Sequence, residues 1–240
     1  MSETFPPLAT PSPRPIAWPE AETFVVPATF GTMAGHGRAR DAVTRGWLRP
    51  ADVDRARMGP VERVFVPLWR IEGSADGFHL GVATIPRGGG RSGVVPTGGF
   101  RHHDGELLVL ARRHLAIDPS EKVRIATSDL TPIAEHPLDD AERIAPDVDR
   151  DEAEEEARVR LRRRGEPGQA LYAKVDVRIR SVALVYYPLY VVRYRYAGEA
   201  TQGAEGIYHA AISARTGDLA SAEHPPALRS VVGRLRRLFE

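Results

Sequence analysis

Apolar residues gather in short runs along this chain, separated by glycine, proline and charge. Two runs echo each other. Val64-Phe65-Val66-Pro67-Leu68-Trp69 returns 121 positions later as Val185-Tyr186-Tyr187-Pro188-Leu189-Tyr190. Each copy is an apolar run with one proline at the same place, ends in an aromatic, and leads into a polar alternating stretch. The repetition predicts two copies of one sheet module.

Around these runs the pattern predicts a series of short elements. Phe24-Val25-Val26 reads as a strand that Pro27 closes. A helix is expected from about Ala39 to Leu48, its start weakened by Gly31, Gly35 and Gly37. A second short helix over Ala51 to Met58 follows Pro50 and stops at Gly59-Pro60. Val61 to Glu72 and Phe78 to Ile85 read as antiparallel neighbours turning at Asp76-Gly77. Asp104-Gly105 reads as the two-residue turn of a further hairpin, Phe100–His103 with Glu106–Leu110. Val123 to Ala126 is an expected strand.

Asp149 to Arg164 has acidic residues first, arginines last, and Gly165 and Pro167 beyond it, which are helix start and stop signals. Glu154/Arg158 and Glu156/Arg160 stand four apart in the favourable order. The charge run is therefore read as a solvated helix face. Val175 to Ser181, Val182 to Ala197 and Ile207 to Ser213 read as strands, with a turn at Thr216-Gly217-Asp218. Val191, Arg193 and Arg195 alternate with Val192, Tyr194 and Tyr196, so one face is basic and the other apolar. The expected class is α+β: two related antiparallel-sheet modules with flanking helices. The expected divisions are a flexible proline-rich tail over 1–20, modules over 21–135 and 136–225, and a closing segment over 226–240.

That last segment is amphipathic. At 100° per residue, Leu228, Val231, Val232, Leu235, Leu238 and Phe239 fall within an arc of roughly 120°, with Arg229, Arg234, Arg236 and Arg237 on the other sides. Such a helix packs on its own sheet, docks to a partner protein, or lies weakly on an anionic membrane surface. Leu228, Val231, Val232, Leu235, Leu238, Phe239, Arg234 and Arg237 are thus the candidates for partner binding.

Composition narrows the classes. With no cysteine, disulfides, thiolate catalysis and cysteine-ligated zinc are excluded. A net charge of +1 gives no global field to recruit nucleic acid. The first residues lack a signal-peptide pattern, and Val182 to Val192, the longest apolar run, is too short to span a bilayer. A cytoplasmic location is expected.

His102, His103 and His114, with Asp104 and Glu106, form the densest titratable cluster, and a metal-assisted hydrolase would draw on these histidines. Against it, neighbouring strand residues point to opposite faces. The glycine-rich stretch from Arg87 to Gly99 lacks the lysine and hydroxyl of a P-loop. No cofactor is expected.

Tyr187 to Tyr196, with Tyr208 to Asp218, resembles the C-terminal repeat of a broad bacterial group of zinc-ribbon, membrane-associated proteins. Val64 to Trp69 resembles that group's apolar-proline-aromatic strand, and Leu107 to Ala111 a segment between its modules. The likeness covers roughly residues 22 to 225 and is one of pattern. This chain departs from it in having neither the ribbon nor the membrane spans. The Thr216-Gly217 turn also resembles small propeptide-type modules that bind or inhibit partners. The resemblance implies the fold and no catalytic residue. The leading expectation is a non-catalytic interaction or scaffold protein that holds a protein partner or forms a homo-oligomer. A metal-assisted hydrolase and a peripheral membrane adaptor are the alternatives.

Overall fold

The computed structural model describes residues 5–9, 16, 19, 22–45, 52–53, 56–87, 91–136, 141–166, 170–198 and 201–225. The element order is β1 (Thr23–Val25), α1 (Thr32–Arg45), β2 (Arg57–Arg87), β3 (Arg91–Leu110), β4 (Thr131–Pro132), β5 (Glu142–Arg143), α2 (Arg150–Gly165), β6 (Ala170–Tyr196), β7 (Gly206–Ser213) and β8 (Leu219–Glu223). Among the described residues the chain is mixed α/β, with one eight-stranded sheet and two α-helices. Among the described residues, no helix is long and apolar enough to cross a membrane.

Three long antiparallel strands, in the order β3-β2-β6, form the spine of the sheet. The two echoing runs pair with each other there: Val66 lies opposite Tyr187, and Val64 opposite Leu189. Every residue from Leu184 to Val192 is buried, because both faces of the sheet are covered. On one face, Phe65, Trp69, Ile71, Leu184 and Tyr186 pack with Ala157 and Leu161 of α2. Further along that face, Val192, Tyr194 and Tyr196 receive Ala39 and Val43 of α1. The other face carries Val64, Val66, Leu68, Tyr187 and Leu189 under Ile117, Val123 and Ile125.

Beyond Gly73 and Ile179 the three strands continue as an arm made of 73–87, 91–105 and 170–181. Among the described residues, no other strand flanks this arm. Phe100, stacked at 5.2 Å on Phe78, is 89% exposed.

Several expectations are corrected. Asp76-Gly77 and Asp104-Gly105 are not turns, since β2 and β3 run straight through them. Gly77, like Gly73 before it, answers to helix packing. A Cβ on Gly77 would stand 3.0 Å from the Gly165 carbonyl, and one on Gly73 2.8 Å from both the Arg178 carbonyl and Leu161. The strands expected at 175–181 and 182–197 are one, β6, bulged at Arg180. His103 lies opposite Ala75, and Glu106 opposite Glu72, in place of each other. Arg57 and Met58 begin β2, so the helix expected over 51–58 does not reach them. Val123–Ala126 is irregular. α1 starts seven residues before the expected Ala39 and runs through Gly35, whose bare Cα lets the helix sit on the Tyr190 ring.

The proline-rich start is not a free tail at Phe5 and Leu8, which are buried. Leu8 joins the core, and Phe5 lies under the guanidinium groups of Arg193 and Arg195 at 5.3 and 5.4 Å.

Candidate functional site

α2 is well specified locally. Asp149 caps it by accepting from the Glu152 N–H at 2.8 Å; acidic residues fill its first turn and arginines its last. Ala153, Ala157, Leu161 and Gly165 recur every fourth residue and form its buried stripe. The small members of that stripe bring the helix close to the sheet. The flank of α2 carrying Glu156, Val159, Arg160, Arg163 and Arg164 is left facing the edge of β3.

A cleft of about 940 Å³ lies along that edge. One wall is β3 from His103 to Leu108, another is α2, and a third is the turn holding Ser120, Glu121 and Arg124. The turn is built by Pro119, whose carbonyl accepts the N–H groups of Lys122 and Val123 at 3.0 Å each. Among the described residues, β3 has a strand partner on one side only, β2.

The direction of its backbone groups follows from the register. The Ala111 N–H bonds the Pro67 carbonyl at 3.0 Å, which makes odd-numbered β3 residues the ones bonded to β2. The N–H and carbonyl groups of Asp104, Glu106 and Leu108 therefore point into the cleft. Arg160 Nη1 donates to the Leu108 carbonyl at 3.2 Å, in agreement.

The carboxylates here are mostly engaged. Asp104 pairs with Arg180 at 3.0 Å, Glu106 with Arg70 at 2.7 Å, and Glu156 with Arg160. Arg163 and Arg164 have no carboxylate partner among the described residues. The Ser120 hydroxyl and His103 Nε2 also border the cleft, buried and without a hydrogen-bond partner among the described residues. The site thus offers an unpaired strand edge, two unmatched cations and two polar groups to satisfy.

The three histidines on which a metal-assisted hydrolase would draw do not converge. His102 lies on the face away from α2, its Nδ1 2.6 Å from Asp76 Oδ1 and its Nε2 3.4 Å from Asp104 Oδ2. His103 points to the opposite face. His114 sits in the turn after β3, at φ 53°, roughly 25 Å of strand from His102. No group of three side chains able to hold a metal occurs among the described residues. The partner-binding candidates Leu228 to Phe239, with Arg234 and Arg237, lie outside the described residues, as do the glycines at 88–90.

Sequence reasoning missed Ser120, Arg124, Arg163 and Arg164. Arg163 and Arg164 read as a solvated helix face, Arg124 fell in an expected strand, and nothing local in 118–124 signals a neighbour on β3. No family model, no curated protein and no solved structure matches the chain.

Titration here has two signs. Hydrogen bonds to Asp76, then Asp104, raise the pKa of His102 above 6.5. Its small, exposed contribution to stability is complete below pH 6.5 and lost as pH rises through the raised value. Burial lowers His209, partly offset by Glu223, and burial then Lys122 lower His224. Their neutral forms favour the fold above pH 6.5, and that stability is lost as pH falls through the lowered values. The urea midpoint should accordingly drop between pH 7 and pH 5, and His209→Asn should flatten the drop. An equally steep drop in the variant would assign the acid sensitivity to other groups.

Proposed function

We propose that this chain is a non-catalytic interaction protein that holds an extended, carboxylate-bearing segment of a partner protein along the edge of β3. The observation carrying this reading is that the unpaired edge of β3 lies in the same cleft as Arg163 and Arg164. An extended segment laid there adds a strand to the sheet. Backbone bonds to Asp104 and Glu106 give it affinity, and the two guanidinium groups select acidic side chains or a free C-terminus.

Two related modules form the scaffold in this reading, each a short strand, a helix, a long strand and a return strand: β1-α1-β2-β3 and β5-α2-β6-β7. Equivalent positions of the echo support it. Pro67 accepts from the Ala111 N–H and Pro188 from the Ala214 N–H, both at 3.0 Å. Phe65 accepts from Ile144 at 3.1 Å and Tyr186 from Val26 at 3.0 Å. Each module's short strand lies on the other's long strand: β1 pairs with β6, and β5 with β2. The resemblance to the two-module bacterial region agrees with this arrangement.

A displayed library of extended peptides tests the binding. Enriched sequences should carry Asp, Glu or a terminal carboxylate, and a double change of Arg163 and Arg164 to glutamate should weaken them by about tenfold or more. No enrichment, or binding indifferent to the charge reversal, would overturn the reading.

A further inference from the structure

We propose that the outer edge of β6, residues 171–181, pairs antiparallel with the same edge of a second copy of the chain, about a two-fold axis through Val175. This surface is separate from the cleft and does not depend on what the cleft binds.

The edge is available and its backbone parity is known. Among the described residues, β1 pairs with β6 only at Leu184–Tyr186 and β7 only from Leu189 onward, so 171–181 has β2 on one side and no strand on the other. Odd-numbered β2 residues bond to β3, so even-numbered ones bond to β6. Beyond the bulge, Ser74, Asp76, Phe78 and Leu80 lie opposite Arg178, Asp176, Lys174 and Tyr172. The backbone groups of Ala173, Val175, Val177 and Ile179 therefore point outward, and Leu171 lies in the irregularity between Leu80 and Gly81. No proline interrupts them.

Isologous pairing must join outward residues to outward residues, which leaves few registers. Centring on Val175 sets Ala173 opposite Val177 and Leu171 opposite Ile179. On the other sheet face it sets Lys174 opposite Asp176 and Tyr172 opposite Arg178, each twice. These are an ion pair and a cation–aromatic pair across strands. Moving the centre to Asp176 faces Asp176 with itself and Lys174 with Arg178. Moving it to Lys174 faces two lysines. Moving it to Val177 sets Asp176 opposite Arg178 but also Lys174 opposite Arg180, which lies in the bulge. The alternating charges, which would otherwise protect an exposed edge, thus favour one register.

The helices do not obstruct the pairing. Gly165 sits against Val175 and Ala75, and Leu161 over Gly73, so the end of α2 lies between β6 and β2. The two helix ends would be about two strand spacings apart, roughly 10 Å, which is the spacing of packed helices and forces no clash.

Sedimentation equilibrium on the full chain tests the proposal. The expected mass is twice 26.4 kDa. Ala173→Pro removes an outward N–H and no bond to β2; it should raise the dimer dissociation constant at least about tenfold with unchanged circular dichroism. Lys174→Asp should do the same, and adding Asp176→Lys should restore the dimer. A monomeric wild-type chain would overturn the proposal. So would a dimer indifferent to both single changes, which would use another surface. Peptide capture by the cleft survives either outcome, so the two readings fail separately.

Discussion

Replacing Trp69 with alanine should cost the fold about 3–5 kcal/mol, the largest loss expected of any single truncation here. Trp69 is fully buried at the centre of β2, and it performs two jobs. Its ring fills the space between the sheet and α2, in a cluster with Phe65, Ile71, Leu107, Leu161 and Tyr186. Its Nε1–H donates to the Val148 carbonyl at 2.8 Å. Val148 immediately precedes the capping Asp149, so the indole fixes where α2 begins. Trp69→Phe separates the jobs. It keeps most of the apolar volume and leaves the Val148 carbonyl without that donor, for a loss of about 1–2 kcal/mol. Urea unfolding followed by far-ultraviolet circular dichroism measures both. A loss below about 1 kcal/mol for the alanine variant would mean that the helix does not depend on this contact.

What was legible in the sequence was mostly local. α2 could be read to within a residue because its cap, charge gradient and stop all lie within it or beside it. The turn at Gly217 could be read because its N–H closes onto the Ser213 carbonyl at 2.8 Å and its φ of 76° suits glycine. The opposite-facing placement of His102 and His103 followed from strand periodicity alone.

Asp-Gly pairs misled for a tertiary reason. A strand that must admit the end of a helix needs a bare Cα, and Gly77 supplies it under Gly165. In sequence, that need looks the same as a hairpin turn. The cleft was illegible because its walls come from three segments, at 103–108, 120–124 and 156–164, that only folding brings together. The echo of the two runs was plain in the sequence, but it carried no sign that they pair with each other.

Arg70→Ala is expected to cost about 3 kcal/mol, and the reason lies in a direct opposition that the register creates. Glu72 on β2 faces Glu106 on β3 across the ladder, a like-charge pair that is destabilising on its own. Arg70, nearly buried, neutralises both: its Nη2 lies 2.7 Å from Glu72 Oε1, and its Nε donates to Glu106 Oε2 at 2.7 Å. The same guanidinium donates to the Ile125 carbonyl at 3.3 Å and to Thr127 Oγ1 at 3.0 Å, tying down the segment that covers this sheet face. Removing it leaves two facing carboxylates and an untethered cover. Neutralising the two carboxylates distinguishes this electrostatic loss from a simple cavity. Adding Glu72→Gln and Glu106→Gln to the variant should return part of the stability at pH 7, measured by urea unfolding. A loss unchanged by the two glutamines would assign the role of Arg70 to packing alone.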